Sequence, residues 1–117
     1  MSKKYLVQVK DVDGCDVLLG EEEWKNHILD RHPEIEEFLD EIIAAIKNPH
    51  LRNIDPEDER VYLHYYKISR GRQLHKNLKY LLIVIKYVKA PERNFARTGF
   101  VSSVYFIKNI KKRGKQL

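Results

Sequence analysis

Apolar and polar positions along this 117-residue chain change period twice, and those changes divide it into elements. Tyr5-Leu6-Val7-Gln8-Val9 and Cys15-Asp16-Val17-Leu18-Leu19 are short β-like runs. The segment between them, Asp11-Val12-Asp13-Gly14, ends in a glycine suited to positive φ, which predicts a hairpin within residues 1–20. Gly20 interrupts the pattern, and Glu21, Glu22 and Glu23 favour a helix start through the macrodipole. A first helix is expected from about Glu21 to Arg31, with Trp24 and Ile28 on one face as its buried anchor. Pro33 suits the first position of a second helix. There Ile35, Leu39, Ile42 and Ile46 keep a helical rhythm, Phe38 and Ile43 widen the stripe, and the acidic residues fall on the wet side. Asn48-Pro49 ends it, and an acidic loop, Asp55-Pro56-Glu57-Asp58-Glu59, follows.

Beyond residue 60 the period shortens to two. Val61, Leu63 and Tyr65 alternate with Tyr62, His64 and Tyr66, as the two faces of a strand do. After a basic loop, Arg70 to Asn77, the run Tyr80–Val88 is almost continuously apolar, as in a central strand covered on both faces, with Lys86 its one charge. Residues 90–99 read as a loop, Phe100–Ile107 as a last strand in which Ser103 and Tyr105 share a face, and 108–117 as a solvated, frayed basic tail. Helices first and strands after give an α+β fold. The expected architecture is an N-terminal hairpin and two helices, then an antiparallel sheet of three to four strands. The helices should pack on one face of that sheet and leave the other open and cationic.

Charge sharpens this picture more than composition does. The length fits one domain with a single core, 43% hydrophobic and 33% charged residues suit a globular chain, and the lone Cys15 excludes an internal disulfide framework. No apolar run reaches the roughly 20 residues of a membrane span, so no membrane partner is expected. The setting implied is reducing and cytoplasmic. The formal charge of +5 conceals a division. Residues 1–59 hold 16 of 17 acidic and 7 of 22 basic residues, a net of −9, and residues 60–117 a net of +14. That excess points to a polyanionic partner, RNA first and an acidic inhibitor-like protein second.

The chemistry-bearing stretch is Trp24-Lys25-Asn26-His27-Ile28-Leu29-Asp30-Arg31-His32-Pro33. Residues four apart share a helix face, so His27 and Arg31 project along one edge while Trp24 and Ile28 bury. Pro33 biases His32 into an extended turn beside the helix end. Such a group suits proton transfer and phosphate binding together. Each histidine also has a plainer reading, as a helix cap or a half-buried ring. His27 and His32 lie about 140° apart around a helix and no cysteine cluster or H-E-x-x-H is present, so neither a metal site nor a cofactor is expected.

The order Trp24-x-x-His27-Ile28-x-x-Arg31-His32-Pro33, the helix ending at Asn48-Pro49, Arg60-x-x-x-x-Tyr65-Tyr66-Lys67, the Leu81–Lys86 strand and Ser103-Val104-Tyr105-Phe106 resemble a known family. It is the barnase–EndoU–colicin–RelE-like ribonuclease group, in its small phage and bacterial nuclease-like domains. The resemblance spans about residues 17–114 and implies a sheet-and-helix ribonuclease fold with metal-independent chemistry. It assigns His27, Arg31 and His32 to the polar set on the helix. Ser103 stands where the family more often has threonine, a departure that keeps the hydroxyl. Lys86 is then a second cation for the phosphate. From the residues themselves, Tyr65, Tyr66, Arg70, Arg72 and Tyr105 are the candidate substrate contacts, by base stacking, phosphate pairing and hydrogen bonding, with cross-strand core packing the plainer reading of the tyrosines. The alternatives are a non-catalytic nucleic-acid-binding module, or a toxin-like domain docking an acidic protein partner.

Overall fold

The computed structural model describes residues 4–68, 78–89, 97–108 and 110, and the backbone of 115 and 116. The fold is α+β, as the element order predicts. Strands β1 (Tyr5–Lys10) and β2 (Asp16–Gly20) form the hairpin, and Gly14 takes φ +83° in its turn. The first helix follows directly. It is α-helical at Glu21–Glu23 and Leu29–Arg31, with a π-helical stretch, Trp24–Ile28, between them. The second begins as a 3-10 turn, Pro33–Phe38, and becomes α-helical at Leu39–Lys47. The strands β3 (Leu51–Ile54), β4 (Val61–Lys67), β5 (Tyr80–Lys89), β6 (Arg97–Ile107) and β7 (Lys115–Gln116) complete the order.

Among the described residues all seven strands belong to one sheet, in the order β1-β2-β6-β5-β4-β3-β7. This corrects the expected antiparallel sheet of three to four strands in three places. The hairpin is part of the sheet, because β2 pairs in parallel with β6 through Asp16–Thr98, Val17–Gly99 and Leu18–Phe100. Leu51–Ile54, to which the sequence reading assigns no element, is a strand paired with β4. Lys115–Gln116, expected as frayed tail, pairs with β3. Short edge segments of mixed polarity carry little periodic signal, and tertiary pairing decides them.

Both helices cover one face. Ile35, Ile42, Ala45 and Ile46 from the second helix and Trp24 and Ile28 from the first pack on Val17, Leu19, Leu81, Ile83, Ile85, Tyr87, Val101 and Val104. The anchoring role expected of Trp24 and Ile28 is what the structure gives them, at 7% and 1% exposure. Tyr87 lies against Gly99, where a β-carbon would come within 2.9 Å of the ring, so only glycine fits. The opposite face is not wholly open. Leu63, Tyr65 and Leu82 are buried there, with Leu51, Val61, Val84, Tyr105, Ile107 and Ile110 packed around them. Its exposed part lies over β2, β6 and β5. Cross-strand partners Gln8, Leu18, Phe100, Lys86 and Val61 form one row across it.

Candidate functional site

Sequence dictates where the first helix goes. Gly20 ends β2 as that strand leaves β6, and the Glu21 N–H is held by the Lys4 carbonyl at 3.1 Å. The helix then runs beside β6, its π-helical stretch packed on that strand. Near its start, Glu22, Lys25 and Asn26 face Phe100, Ser102 and Lys86 across a groove of about 740 Å³. Near its end, the His32 ring stacks on Tyr105, with centroids 5.6 Å apart and planes 26° apart. These contacts fix a common direction. From Glu22 to His32 a helix rises about 15 Å, and from Phe100 to Tyr105 a strand rises about 16 Å.

The predicted residues of the first helix, β5 and β6 are spread along this course, with Lys86 near one end and His32 near the other. His27 is midway, in the π-helical stretch, its side chain 39% exposed and its Nε2 3.9 Å from Glu23, a residue of the groove wall. His32 is 33% exposed, with Nδ1 3.5 Å from Glu34. Arg31 is exposed at the helix end. Lys86 lines the groove. Ser103, opposite Val84, lies on the same face as Lys86, with a register shift after it that separates it from Val101. A π-turn, here closed by the Leu29 N–H on the Trp24 carbonyl, is a feature that recurs at functional sites.

Other assignments do not gather there. Tyr65 is 3% exposed within the second apolar cluster, so its ring offers no face to a base. Tyr66 points to the helix side, half-buried against the main core, and packs on His50 at 4.7 Å. Strand alternation separates two adjacent tyrosines in this way. Arg70 and Arg72 lie outside the described residues.

A second polar centre was not legible as such in the sequence. On the helix side of the sheet, Arg52 is 7% exposed and donates from Nε to His64 Nε2 at 3.0 Å, from Nη1 to Asp13 at 2.5 Å and from Nη2 to Asp11 at 3.4 Å. The Tyr87 hydroxyl donates to the same Asp11 oxygen at 2.5 Å. The other Asp11 oxygen accepts the backbone N–H groups of Asp13 and Cys15, so the hairpin turn and the ion pair share one carboxylate. Arg97 donates to the Tyr62 hydroxyl at 2.7 Å and lies over the Tyr62 and Tyr87 rings. The guanidinium donor fixes the His64 tautomer: Nε2 accepts, and Nδ1 donates to the Ala45 carbonyl at 3.0 Å. Burial pushes the His64 pKa down to about 4. Burial, then the bond to Asp11, pushes the Tyr87 phenol well above its usual range. This histidine is a neutral, buried structural group. The one available signal was the pairing of inward-facing His64 with an arginine twelve residues earlier, and it needed β3 to be recognised.

No family model, curated protein or solved structure matches this chain.

Proposed function

We propose that the chain is a metal-independent ribonuclease, with the seam between the first helix and β6 as its site. The observation that carries this reading is the parallel course of helix and strand. Along it Lys86 lines the groove near the helix start, His32 stacks on Tyr105 near the helix end, His27 falls between them in the helix, and Ser103 shares the sheet face of Lys86. Cleavage by this route breaks the bond between phosphorus and the 5′-oxygen as the 2′-oxygen attacks, and yields a 2′,3′-cyclic phosphate. One imidazole takes the 2′-hydroxyl proton and the other protonates the departing 5′-oxygen. Imidazole is the side chain that exchanges protons near neutral pH. Arg31, next to His32 at the helix end, supplies a cation that a phosphorane requires, and Lys86, nearer the helix start, a cation for a neighbouring phosphate of the strand. Ser103 and Tyr105 hold ribose or phosphate by hydrogen bonds. The stack of His32 on Tyr105 orients that imidazole in the way a catalytic base needs.

The test is incubation of the protein with single-stranded and transfer RNA in excess chelator, followed by analysis of the product ends. Cyclic phosphate termini are expected. General acid–base groups contribute about 10²- to 10⁴-fold, so His27→Ala and His32→Ala should each cost at least about a hundredfold. Both side chains are partly exposed, and the variants should fold. Intact RNA, or cleavage that survives both substitutions together, removes the reading. Salt-sensitive binding without turnover would leave a binding module instead.

A further inference from the structure

We infer that the groove at the start of the first helix is a base-binding subsite that selects an unpaired, amino-bearing nucleobase. It rests on the reading of the seam as a ribonuclease site, since it places a neighbouring nucleotide of the same strand. Three observations lead to it. Phe100 is 37% exposed on the sheet face away from the helices, where Val88 is equally exposed, and its cross-strand partners are Leu18 and Lys86. It therefore presents a flat apolar surface directly beside a cation, the combination that stacks a base and holds its phosphate. The groove is continuous with the seam, because Lys86 and Glu23 line it and Glu23 lies 3.9 Å from His27.

The third observation is the charge of the wall. Lys25 pairs with Glu21 at 3.0 Å, whereas Glu22 forms no ion pair among the described residues. A phosphate is repelled by that carboxylate, so the group that enters opposite it is the uncharged base. A carboxylate accepts from N–H groups and Asn26 offers both an amide donor and an acceptor. Cytosine and adenine present an amino donor beside a ring acceptor, and guanine an amino group beside a ring N–H. Uracil has one donor on that edge, N3–H, flanked by the O2 and O4 carbonyls, so pairing with the carboxylate brings an acceptor against it and is disfavoured.

The experiment uses short fluorescent 2′-O-methyl oligonucleotides, which cannot be cleaved by 2′-hydroxyl attack. Oligocytidylate, oligoadenylate and oligouridylate are titrated into wild type, Phe100→Ala and Glu22→Gln, and cleavage of ordinary RNA is followed in parallel. The cytidine and adenosine probes should bind at least about fivefold more tightly than the uridine probe. Phe100→Ala should weaken both about tenfold, and Glu22→Gln should shrink the preference while retaining the fold by circular dichroism. Equal affinity for the three probes, or a Phe100→Ala variant that binds as wild type does, overturns the subsite even if RNA is cleaved. Base preference lost in Phe100→Ala, without any cleavage of RNA, upholds the subsite and removes the ribonuclease reading.

Discussion

Replacing Asp11 by asparagine changes no volume and removes one charge, which makes it a clean probe of the buried centre. The side chain is fully buried and accepts four donors: two backbone N–H groups of its own turn, the Tyr87 hydroxyl and Arg52 Nη2. An amide oxygen can keep the two turn bonds. It cannot keep the charge that faces Tyr87 and Arg52. Losing a charged acceptor costs about 1.5–3 kcal/mol per bond, and breaking a buried ion pair costs about 3–5 kcal/mol. The Arg52 contact is long at 3.4 Å and Asp13 remains at 2.5 Å, so the lower part of that range applies, about 3 kcal/mol. For a domain of this size that is between a fifth and a half of total stability. In urea the midpoint should fall by about 1–3 M with unchanged slope. Asp13→Asn is the internal comparison. Its side chain is 51% exposed and its pair is partly solvated, so it should cost about 1 kcal/mol despite the shorter distance. In an Arg52→Met background the cost of Asp11→Asn should shrink to the Tyr87 share. A loss below about 1 kcal/mol, or a larger cost for Asp13→Asn, would refute burial as the source of the effect.

Stability should fall on acidification before the carboxylates titrate. The His64 pKa is lowered to about 4 in the folded state, so between the ordinary value near 6.5 and 4 the unfolded chain binds the extra proton. This contribution is fully present above pH about 6.5 and lost as pH falls to about 4, some 3 kcal/mol in all, and the slope should vanish in His64→Gln by urea titration at each pH. Gly99→Ala would place a β-carbon 2.8 Å from Ile85 and 2.9 Å from Tyr87. Because the Tyr87 hydroxyl is tied to Asp11, the ring cannot retreat, and a loss of about 1–3 kcal/mol is expected in thermal melts. Tyr105→Leu removes the stack on His32 and should lower RNA cleavage about tenfold while the melting temperature shifts little; unchanged cleavage would detach Tyr105 from the site.

What the sequence made legible follows from local physics. The Ile35–Ile46 stripe, the alternation in Val61–Tyr66 and the apolar run of β5 each repeat a single period for several residues, and all three are elements of the structure. The side that Tyr62, His64 and Tyr66 share was readable for the same reason. Non-local pairing was not readable. Nothing within Asp16–Gly20 announces a parallel partner eighty residues on, and Leu51–Ile54 has only four residues in which to alternate. The buried centre fails to show for a related cause. Asp11 and Asp13 look like turn residues, which they are, and only the register between β3 and β4 brings Arg52 to His64. Around the seam the sequence was half legible: the first helix and its end at His32 before Pro33 could be read, but the course of that helix beside β6 depends on where β2 ends.

The two polar centres are joined through β5. Tyr87 points to the helix side and closes the Asp11–Arg52 centre, whereas its neighbour Lys86 points to the other face and lines the groove. A change at Asp11 could in principle reach the seam by shifting this strand. The ladder argues against it, because β5 is paired with β4 on one side and with β6 on the other around residue 86, through Val61 and Phe100. Moving Lys86 would break bonds on both sides at once, at a cost greater than a rearranged carboxylate supplies. Asp11→Asn should therefore lose stability without losing cleavage at temperatures where it stays folded, and His27→Ala should do the reverse. The centre buried under the helices holds the turn and strands in register, and the proposed ribonuclease site stands apart from it on the accessible face.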